Sequence, residues 1–575
     1  MNTEIRIEQK MREEVEVIMA DGTVLCGPRH TPVGAFMRKY QQPDHPLIVG
    51  AIVNNELREL TYSISADATV TPVDMTDSDG ARIYRRSLTF LLEVAFIELF
   101  PDWRLTIDHS VSSGAYYCHV PEQEPFNQAL LDALIEQMQA LVEEDAPLMK
   151  EKVSLAEARA FFSKHGQDDK LRLLNYRHGD DLVLYSLHGK RDYHHGYMVP
   201  STGYLRWFDL QLVDLGFVIR FPRRHAPNEL LPLTSYPQLL AAFRQYGGWL
   251  ETLGIQSVGA LNDTINDGRI NEVILVSEAL HTQQISRIAN NIRKRKDEIH
   301  VILIAGPSSS GKTTFSKRLM IQLLTEGLSP FALEMDNYFV DRVDTPLNEE
   351  GAYDFEHLDA VNRELLNDHI TRLIAGERVQ LRHYNFKQGI NEPGEEVQLD
   401  SGQIIILEGI HGLNPKLLEN IPAEQSYRIY VSCLTQLNLD RHNRISTTDT
   451  RELRRILRDA RDRGYTAQQT ISHWEMVRRG EKNHIFPYQE NADIMFNSAL
   501  AYELTALKPL VEPLLRQVPY GSHEYIEAKR LLKFLQWFMP IETHMIPDDS
   551  ILREFIGDSI LTDFKVWQNA NLYDY

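Results

Sequence analysis

The sequence predicts an α/β fold: a doubly wound parallel sheet preceded by a small β-rich domain and a mixed α+β region. Three observations predict it. Residues 301–305 (VILIA) form a continuous apolar run of the kind a parallel strand buried on both faces requires. Two further runs of that type, at 331–335 and 404–407, lead into Asp336 and Glu408, with helical periodicity between them. Ahead of this region, residues 12–72 alternate in short β-type runs broken by turn signals.

In chain order, the alternation VEVIMADGTVL carries Asp21-Gly22 between two β-rich runs, which predicts a hairpin. From about Arg82 the period lengthens. Leu88, Leu91, Leu92, Ala95, Phe96 and Leu99 fall on one helical stripe that stops near Pro101. A mixed α/β stretch runs to about 225, and residues 271–295 read as a long helix with a basic end, RKRK. Phe315, Leu319 and Leu323, spaced i, i+4, i+8, predict a helix over 314–324 that buries one face. The tail from 501 to 575 is helical in pattern. The expected division is therefore 1–72, 73–225, a helical connector at 226–297, a catalytic-type α/β domain at 298–500, and a C-terminal helical extension at 501–575.

The chain has 575 residues and a formal net charge of −21, from 81 acidic and 60 basic side chains. That balance excludes a protein whose whole surface grips nucleic acid, and leaves only a local basic patch for such a role. Three widely spaced cysteines, Cys26, Cys118 and Cys433, form no CxxC pair and no disulfide framework. The N-terminal residues mix both charge signs without an apolar core, and no apolar run has the length to span a bilayer. The expectation is a cytoplasmic protein without a membrane partner; self-association into a homo-oligomer is left open.

The chemistry-bearing motif is Gly306-Pro307-Ser308-Ser309-Ser310-Gly311-Lys312-Thr313, a complete GxxxxGK[ST] between an apolar strand and an amphipathic helix. Glycines let successive backbone N–H groups curl toward a phosphate, and the following helix adds its positive N-terminal end. Ser308, Ser309, Ser310, Thr313 and Thr314 are expected around the phosphates, Lys312 on the β/γ-phosphates, and the Thr313 hydroxyl on Mg²⁺. ATP and Mg²⁺ are the expected ligands. Ligands of open α/β sheets lie beyond the carboxyl ends of the strands, so both strand-end carboxylates face the γ-phosphate. Glu408 fits the metal side and Asp336 the acceptor side. The stretch 451–464 (RELRRILRDARDRG) places Arg451, Arg455 and Arg458 on one helical face, with Arg454 and Arg461 adjoining, as a cationic lid over a transferring phosphate would require.

Read together, residues 298–500 resemble the uridine kinase and phosphoribulokinase branch of P-loop kinases. The resemblance rests on AGPSSSGKTT, on Asp336-Asn337-Tyr338-Phe339, on 354–360 (DFEHLDA), on Tyr384-Asn385-Phe386, on LEGIHGL at 407–413, and on the arginine stretch. It implies that Asp336 is the general base, that Glu356 binds ribose hydroxyls, and that Tyr384 lies beside the nucleoside. It also implies that Glu408 serves the metal and that Arg455, Arg458 and Arg463 meet the phosphates. Two positions depart from the family: the pyrimidine-reading histidine falls on Gly389, and the proline ahead of the tyrosine is Arg382.

Residues 12–72 resemble a TGS domain, a β-grasp module, and 80–225 resemble the editing domain of threonyl-tRNA synthetase. The second resemblance is carried by Phe100-Pro101, Gly114-Ala115-Tyr116-Tyr117 and Val199-Pro200-Ser201-Thr202-Gly203. That family's HxxxH falls here on Arg86 and Phe90, and its CxxxH on His194 and Met198, so neither editing nor a zinc site is expected. The order of the three segments resembles bacterial uridine kinase-like nucleoside kinases. Two functions stay on the page. One is a kinase that phosphorylates a nucleoside, or a similar small acceptor, on a hydroxyl. The other is a nucleotide-dependent RNA- or ribosome-associated ATPase in which the N-terminal half reads nucleic acid. The acceptor-side residues Asp336, Glu356 and Tyr384 favour the first, because a switch ATPase has no use for an acceptor pocket.

Overall fold

The computed structural model describes residues 12–111, 114–121, 125–348 and 351–565. Residues 1–11, on which part of the N-terminal reading rests, and the last ten of the tail lie outside the described residues. Contacts divide the chain into two compact units. One comprises Met1–Thr234 with Asn438–Arg444 and Val518–Phe534; the other comprises Ser235–Leu437 with Ile445–Gln517 and Leu535–Tyr575. Among the described residues no helix is long and apolar enough to cross a membrane.

The first unit opens with the expected hairpin. Glu14–Met19 pairs antiparallel with Val24–Pro28, and Gly22 in the turn takes φ 87°, a conformation that costs glycine little. Ala68–Asp74 then adds in parallel to Glu14–Met19, and Ile48–Val53 and Glu56–Glu59 complete a five-stranded sheet. Helix Val33–Tyr40 lies against it, with Val33, Phe36 and Met37 in the same core as Val15 and Val17. This crossing of a helix over a mixed sheet is the β-grasp arrangement.

Helix Ser78–Leu99 follows. Leu88, Leu91, Leu92, Ala95 and Phe96 are buried as expected, but Leu99 is 37% exposed. The helix stops there, and Phe100 takes the core position instead, its ring 5.0 Å from that of Phe96. A four-stranded antiparallel sheet of Asp209–Val213, Gly216–Arg220, Ala115–His119 and Thr106–Val111 packs with this helix and with Gln128–Glu144. A second antiparallel sheet joins Met149–Ser154, Asp181–Leu187 and Lys190–Asp192.

The second unit is built on a five-stranded sheet. Its order is Ser329–Glu334, Gln403–Glu408, Val301–Ala305, Ser426–Ser432, Ile494–Asn497, and every pairing is parallel. Val301–Ala305 is central and buried at all five positions, as its unbroken apolar run requires. Helix Lys312–Thr325 buries Phe315, Leu319 and Leu323. Strand Ser329–Glu334 ends two residues before Asp336, which sits in a single 3-10 turn, Met335–Tyr338. An antiparallel hairpin, Val379–Asn385 with Ile390–Val397, stands apart from the sheet. Helices Pro237–Thr252, Val258–Asn266 and Ile270–Arg293 precede the sheet in the chain, and Thr447–Asp462, Ala467–His484 and Glu503–Leu515 fall after its fourth strand.

Leu303, 2% exposed on the central strand, belongs to the core that also holds Phe331, Leu333, Ile405 and Leu407. Leu303→Ala is expected to destabilise this unit by about 2–5 kcal/mol, read as a lower denaturant midpoint. Leu215→Ala, at a leucine 62% exposed, should change stability by less than about 0.5 kcal/mol.

Candidate active site

The phosphate loop leaves the central strand and turns immediately. A Cβ on Gly306 would stand 1.9 Å from the Val431 carbonyl oxygen of the neighbouring strand, so only glycine fits. Ser309 at φ 56° and Gly311 at φ 86° are both left-handed, which curls the loop into a concave row of amides. Helix Lys312–Thr325 starts directly from Gly311, so its first amides have no intrahelical carbonyl to meet. The Ser309 and Ser310 hydroxyls are buried within this loop without hydrogen-bond partners. Thr313 Oγ1 donates to Glu408 Oε1 at 3.0 Å, which sets a hydroxyl beside a carboxylate at the end of strand Gln403–Glu408. Two hard oxygen ligands so placed suit Mg²⁺, and the orphaned hydroxyls and the amides at the helix start suit nucleotide phosphates. The residues present therefore fit both groups. Lys312 Nζ lies over the loop and donates to the Pro307 carbonyl at 3.2 Å.

The turn that carries Asp336 is held by the hairpin Val379–Asn385 with Ile390–Val397. Asn391 Nδ2 donates to the carbonyls of Asn337 and Phe339 at 2.8 and 2.9 Å, and the Tyr384 amide donates to Asn337 Oδ1 at 3.2 Å. These bonds fix the turn that carries Asp336. Tyr338 closes the turn from beneath, its hydroxyl 3.0 Å from His369 Nδ1. Tyr384 is 2% exposed, and its own hydroxyl has no hydrogen-bond partner. Gly389, where the family carries a histidine, takes φ 73°, and the Arg342 guanidinium occupies the space a side chain there would need.

Three carboxylates crowd this cleft. Burial pushes Glu408 up to about 7, and Glu554 adds to the rise while Lys312 opposes it. Burial also pushes Glu356 up to about 7, with Glu481 and Asp336 adding to the rise and Arg455 and Lys312 opposing it. Asp336 opens to water, yet the protein around it withholds enough solvent to raise its carboxyl, against the pull of Lys312. The charge of Lys312 thus opposes the rise at Asp336, Glu356 and Glu408 alike.

The arginine stretch is helix Thr447–Asp462, and its members divide their tasks. Arg451 Nε donates to the Ser308 carbonyl at 2.8 Å and Arg455 Nη1 to the Ser308 hydroxyl at 2.7 Å. Arg454, wholly buried, is paired with Glu503 at 2.6 Å and donates to the Ser498 carbonyl, a structural role. Arg458 and Arg463 reach Asp459 rather than the loop, at 3.5 and 3.2 Å, and Arg455 also contacts Asp459 at 3.2 Å. Burial, followed by the charge of Arg463, lowers the Arg458 guanidinium.

Asp459 and Glu481 are two residues that sequence reasoning missed. Asp459, 1% exposed, holds three guanidinium groups; its i, i+4 spacing from Arg455 and to Arg463 was a readable signal. Glu481 accepts the Ser308 amide at 2.8 Å and pairs with Arg451, and no local pattern marks it.

In the first unit, the positions aligned with the editing motifs hold other chemistry. The Arg86 guanidinium donates to the Tyr197 carbonyl at 2.6 Å, the Phe90 ring lies 5.2 Å from that of His194, and Met198 is buried. Glu93, Asp192 and His194 bring three ligand-type atoms within 4.8 Å of one another. Their charge is met from within the unit: Lys170 pairs with Asp192, and His442 lies 2.8 Å from Asp192 and 3.1 Å from Glu93. Despite its burial, His442 is raised to about 9, chiefly by Glu93.

The elevated Glu356 has a consequence for stability. A carboxyl at about 7 in the folded protein against 4.5 unfolded means that the native state binds more protons between those values, so stability falls as pH rises through that window. Glu356→Gln mimics the protonated form. It should leave the melting temperature unchanged near pH 5 and raise stability by roughly 1–2 kcal/mol at pH 8, after allowance for partial exposure to the cleft, as read by thermal melts at both pH values.

Comparison with known proteins bears on both halves. Residues 301–504 match the phosphoribulokinase / uridine kinase family. The uridine kinase of Deinococcus deserti is 29% identical over 196 residues, 34% of this chain and 86% of that kinase. The N-terminal region is similar to threonine–tRNA ligase; that of Burkholderia lata is 34% identical over 166 residues, 29% of this chain. The chain spans about a quarter of the length of that ligase, 26%. Among solved structures, D-glycerate 3-kinase from Cryptococcus neoformans aligns with 48% of this chain and 87% of its own at a TM-score of 0.21 and 14% identity. With the phosphate loop and the strand-end carboxylates on one parallel sheet, residues 301–504 are a P-loop kinase-type domain similar to the phosphoribulokinase / uridine kinase family, following in the chain a threonine–tRNA ligase-like region.

Proposed function

We propose that the protein transfers the γ-phosphoryl group of ATP to the 5′-hydroxyl of a nucleoside. The observation that carries this reading is a set of carboxylates next to the phosphate loop: the charge of Lys312 acts on Asp336 and Glu356 as well as on Glu408 of the Thr313–Glu408 pair, while the Tyr384 amide holds the turn that carries Asp336. Water activation alone would need no such set of groups.

In this reading the amides of the curled loop and the Ser309 and Ser310 hydroxyls hold the phosphates. Thr313 and Glu408 would hold Mg²⁺, which supplies charge neutralisation on the phosphates when bound. Glu356 and the Tyr384 hydroxyl orient the acceptor through its hydroxyl groups. Asp336 accepts the proton of the attacking hydroxyl as the new O–P bond forms and the bond to the leaving ADP oxygen breaks. Lys312 and Arg455 neutralise charge on the transferring and leaving oxygens, and Arg458 and Arg463 swing from Asp459 toward the phosphates as the lid closes. Residues 73–225, following a TGS-like segment at 1–72, act as an editing-like scaffold, ligand sensor or substrate lid, with the extension 501–575 beyond the kinase domain. The similarity to threonine–tRNA ligase supports a second reading, in which the same loop powers an RNA-associated ATPase.

One product screen separates the two. The protein, ATP, Mg²⁺ and a panel of nucleosides would be incubated and monophosphates read by mass. One nucleoside should yield a 5′-monophosphate, and Asp336→Ala should lower that rate by about 10²–10⁴-fold. ATP hydrolysis without a phosphorylated acceptor, unchanged in Asp336→Ala, would sink the kinase reading and favour the RNA-associated one.

A further inference from the structure

The amide of Thr314 is the last free donor at the start of the phosphate-loop helix, since the next amide, that of Phe315, already donates to the Gly311 carbonyl. It is not vacant. The Glu554 carboxylate, from the C-terminal segment, accepts it through Oε2 at 3.1 Å. A carboxylate at the positive end of this helix is the chemistry a nucleotide phosphate brings: anionic oxygen facing backbone N–H.

Glu554 is delivered to this position by a built segment. Ile551 packs directly on the loop, its Cγ2 only 2.5 Å from where a Cβ on Gly311 would stand. Arg553 donates to the carbonyls of Thr543 and Ile546 at 3.1 and 2.6 Å, and Lys317 of the loop helix donates to the carbonyls of Leu561 and Thr562 at 2.7 and 2.9 Å. On the lid side, Arg461 donates to the Glu554 carbonyl at 2.8 Å, and the Phe555 ring lies 4.9 Å beneath the Arg454 guanidinium. One short segment therefore touches both the phosphate loop and the helix that carries the lid arginines.

We propose that Glu554 is an internal stand-in for a nucleotide phosphate, so that the C-terminal segment holds the empty kinase site closed and is displaced when a nucleoside triphosphate enters. The inference rests on the phosphate-loop reading of Gly306–Thr313. In the empty state the carboxylate neutralises the helix end and the segment braces the lid helix through Arg461. An arriving phosphate takes the Thr314 amide, repels Glu554, and frees that brace. The device makes lid mobility conditional on nucleotide, a means of keeping the arginines ordered when nothing is bound.

The test uses the full chain with ATP and Mg²⁺ in titration calorimetry at low ionic strength. Glu554→Gln retains shape and removes charge, and should bind ATP about three- to tenfold more tightly than the wild type. Unchanged or weaker affinity overturns the proposal, the weaker result assigning Glu554 to nucleotide binding. In parallel, amide hydrogen exchange across 551–557 should rise when the wild type binds ATP; undiminished protection there overturns the proposal even if affinity shifts. Should Glu554→Gln lose thermal stability, Glu554→Asp, whose shorter carboxylate leaves the amide, is expected to show the same gain. A wild type that binds no nucleotide while Glu554→Gln does supports the proposal. Absence of binding in both overturns it together with the phosphate-loop reading, whereas equal affinity in both overturns it alone.

Discussion

A helix that starts straight out of a curled loop has amides that nothing in the helix can satisfy, and the second unit is organised around that deficit. The deficit exists because Gly306 lets the chain pass within contact of the Val431 carbonyl, and because Ser309 and Gly311 accept left-handed backbone. Groups of both signs from the chain itself already engage the loop. Glu481 takes the Ser308 amide, Glu554 takes the Thr314 amide, and Arg451 and Arg455 grip Ser308 from the lid helix. The loop is thus held by carboxylates of the same charge as the phosphates it would receive and by guanidinium groups of the opposite charge.

Gathering carboxylates in a cleft that withholds solvent has an electrostatic cost, and the upward shifts of the Asp336, Glu356 and Glu408 carboxyls, set first by burial, record it. Acids of like sign gathered around Lys312 and Arg455 favour the protonated form of some of their number. Phosphate-bound metal and a closing guanidinium lid are the charges that would restore balance. The cleft without ligand is therefore less stable than its fold alone would make it, as is common where residues are gathered for chemistry rather than packing.

The first unit meets buried charge by the opposite route. Its cluster of Glu93, Asp192 and Asp440 is compensated inside the protein by Lys170 and His442, all of them nearly excluded from water. Two of those partners, Asp440 and His442, come from a seven-residue segment, Asn438–Arg444, that the sequence places in the middle of the kinase-like stretch. Breaking such a cluster leaves an unpaired buried charge, so it fixes the conformation of this unit whether or not it adds net stability.

The sequence by itself determined the parallel sheet, the phosphate loop and the helix behind it, because these follow from local pattern: apolar runs, a glycine spacing and a period of 3.6. The β-grasp hairpin was legible at Asp21-Gly22 for the same reason. Strand ends were less so: Asp336 belongs to a turn clamped by Asn391 and Tyr384, and that clamp is made across 54 residues. Likewise Leu99 satisfied the helical period, yet Phe100 won the core position because the helix ended there. The contact of Arg463 with Asp459 was readable from its i, i+4 spacing, whereas only tertiary structure decided that Glu481 serves the loop and that Glu554 reaches the helix end. Those contacts join residues tens to hundreds of positions apart, or depend on where a helix stops, and no local periodicity encodes them.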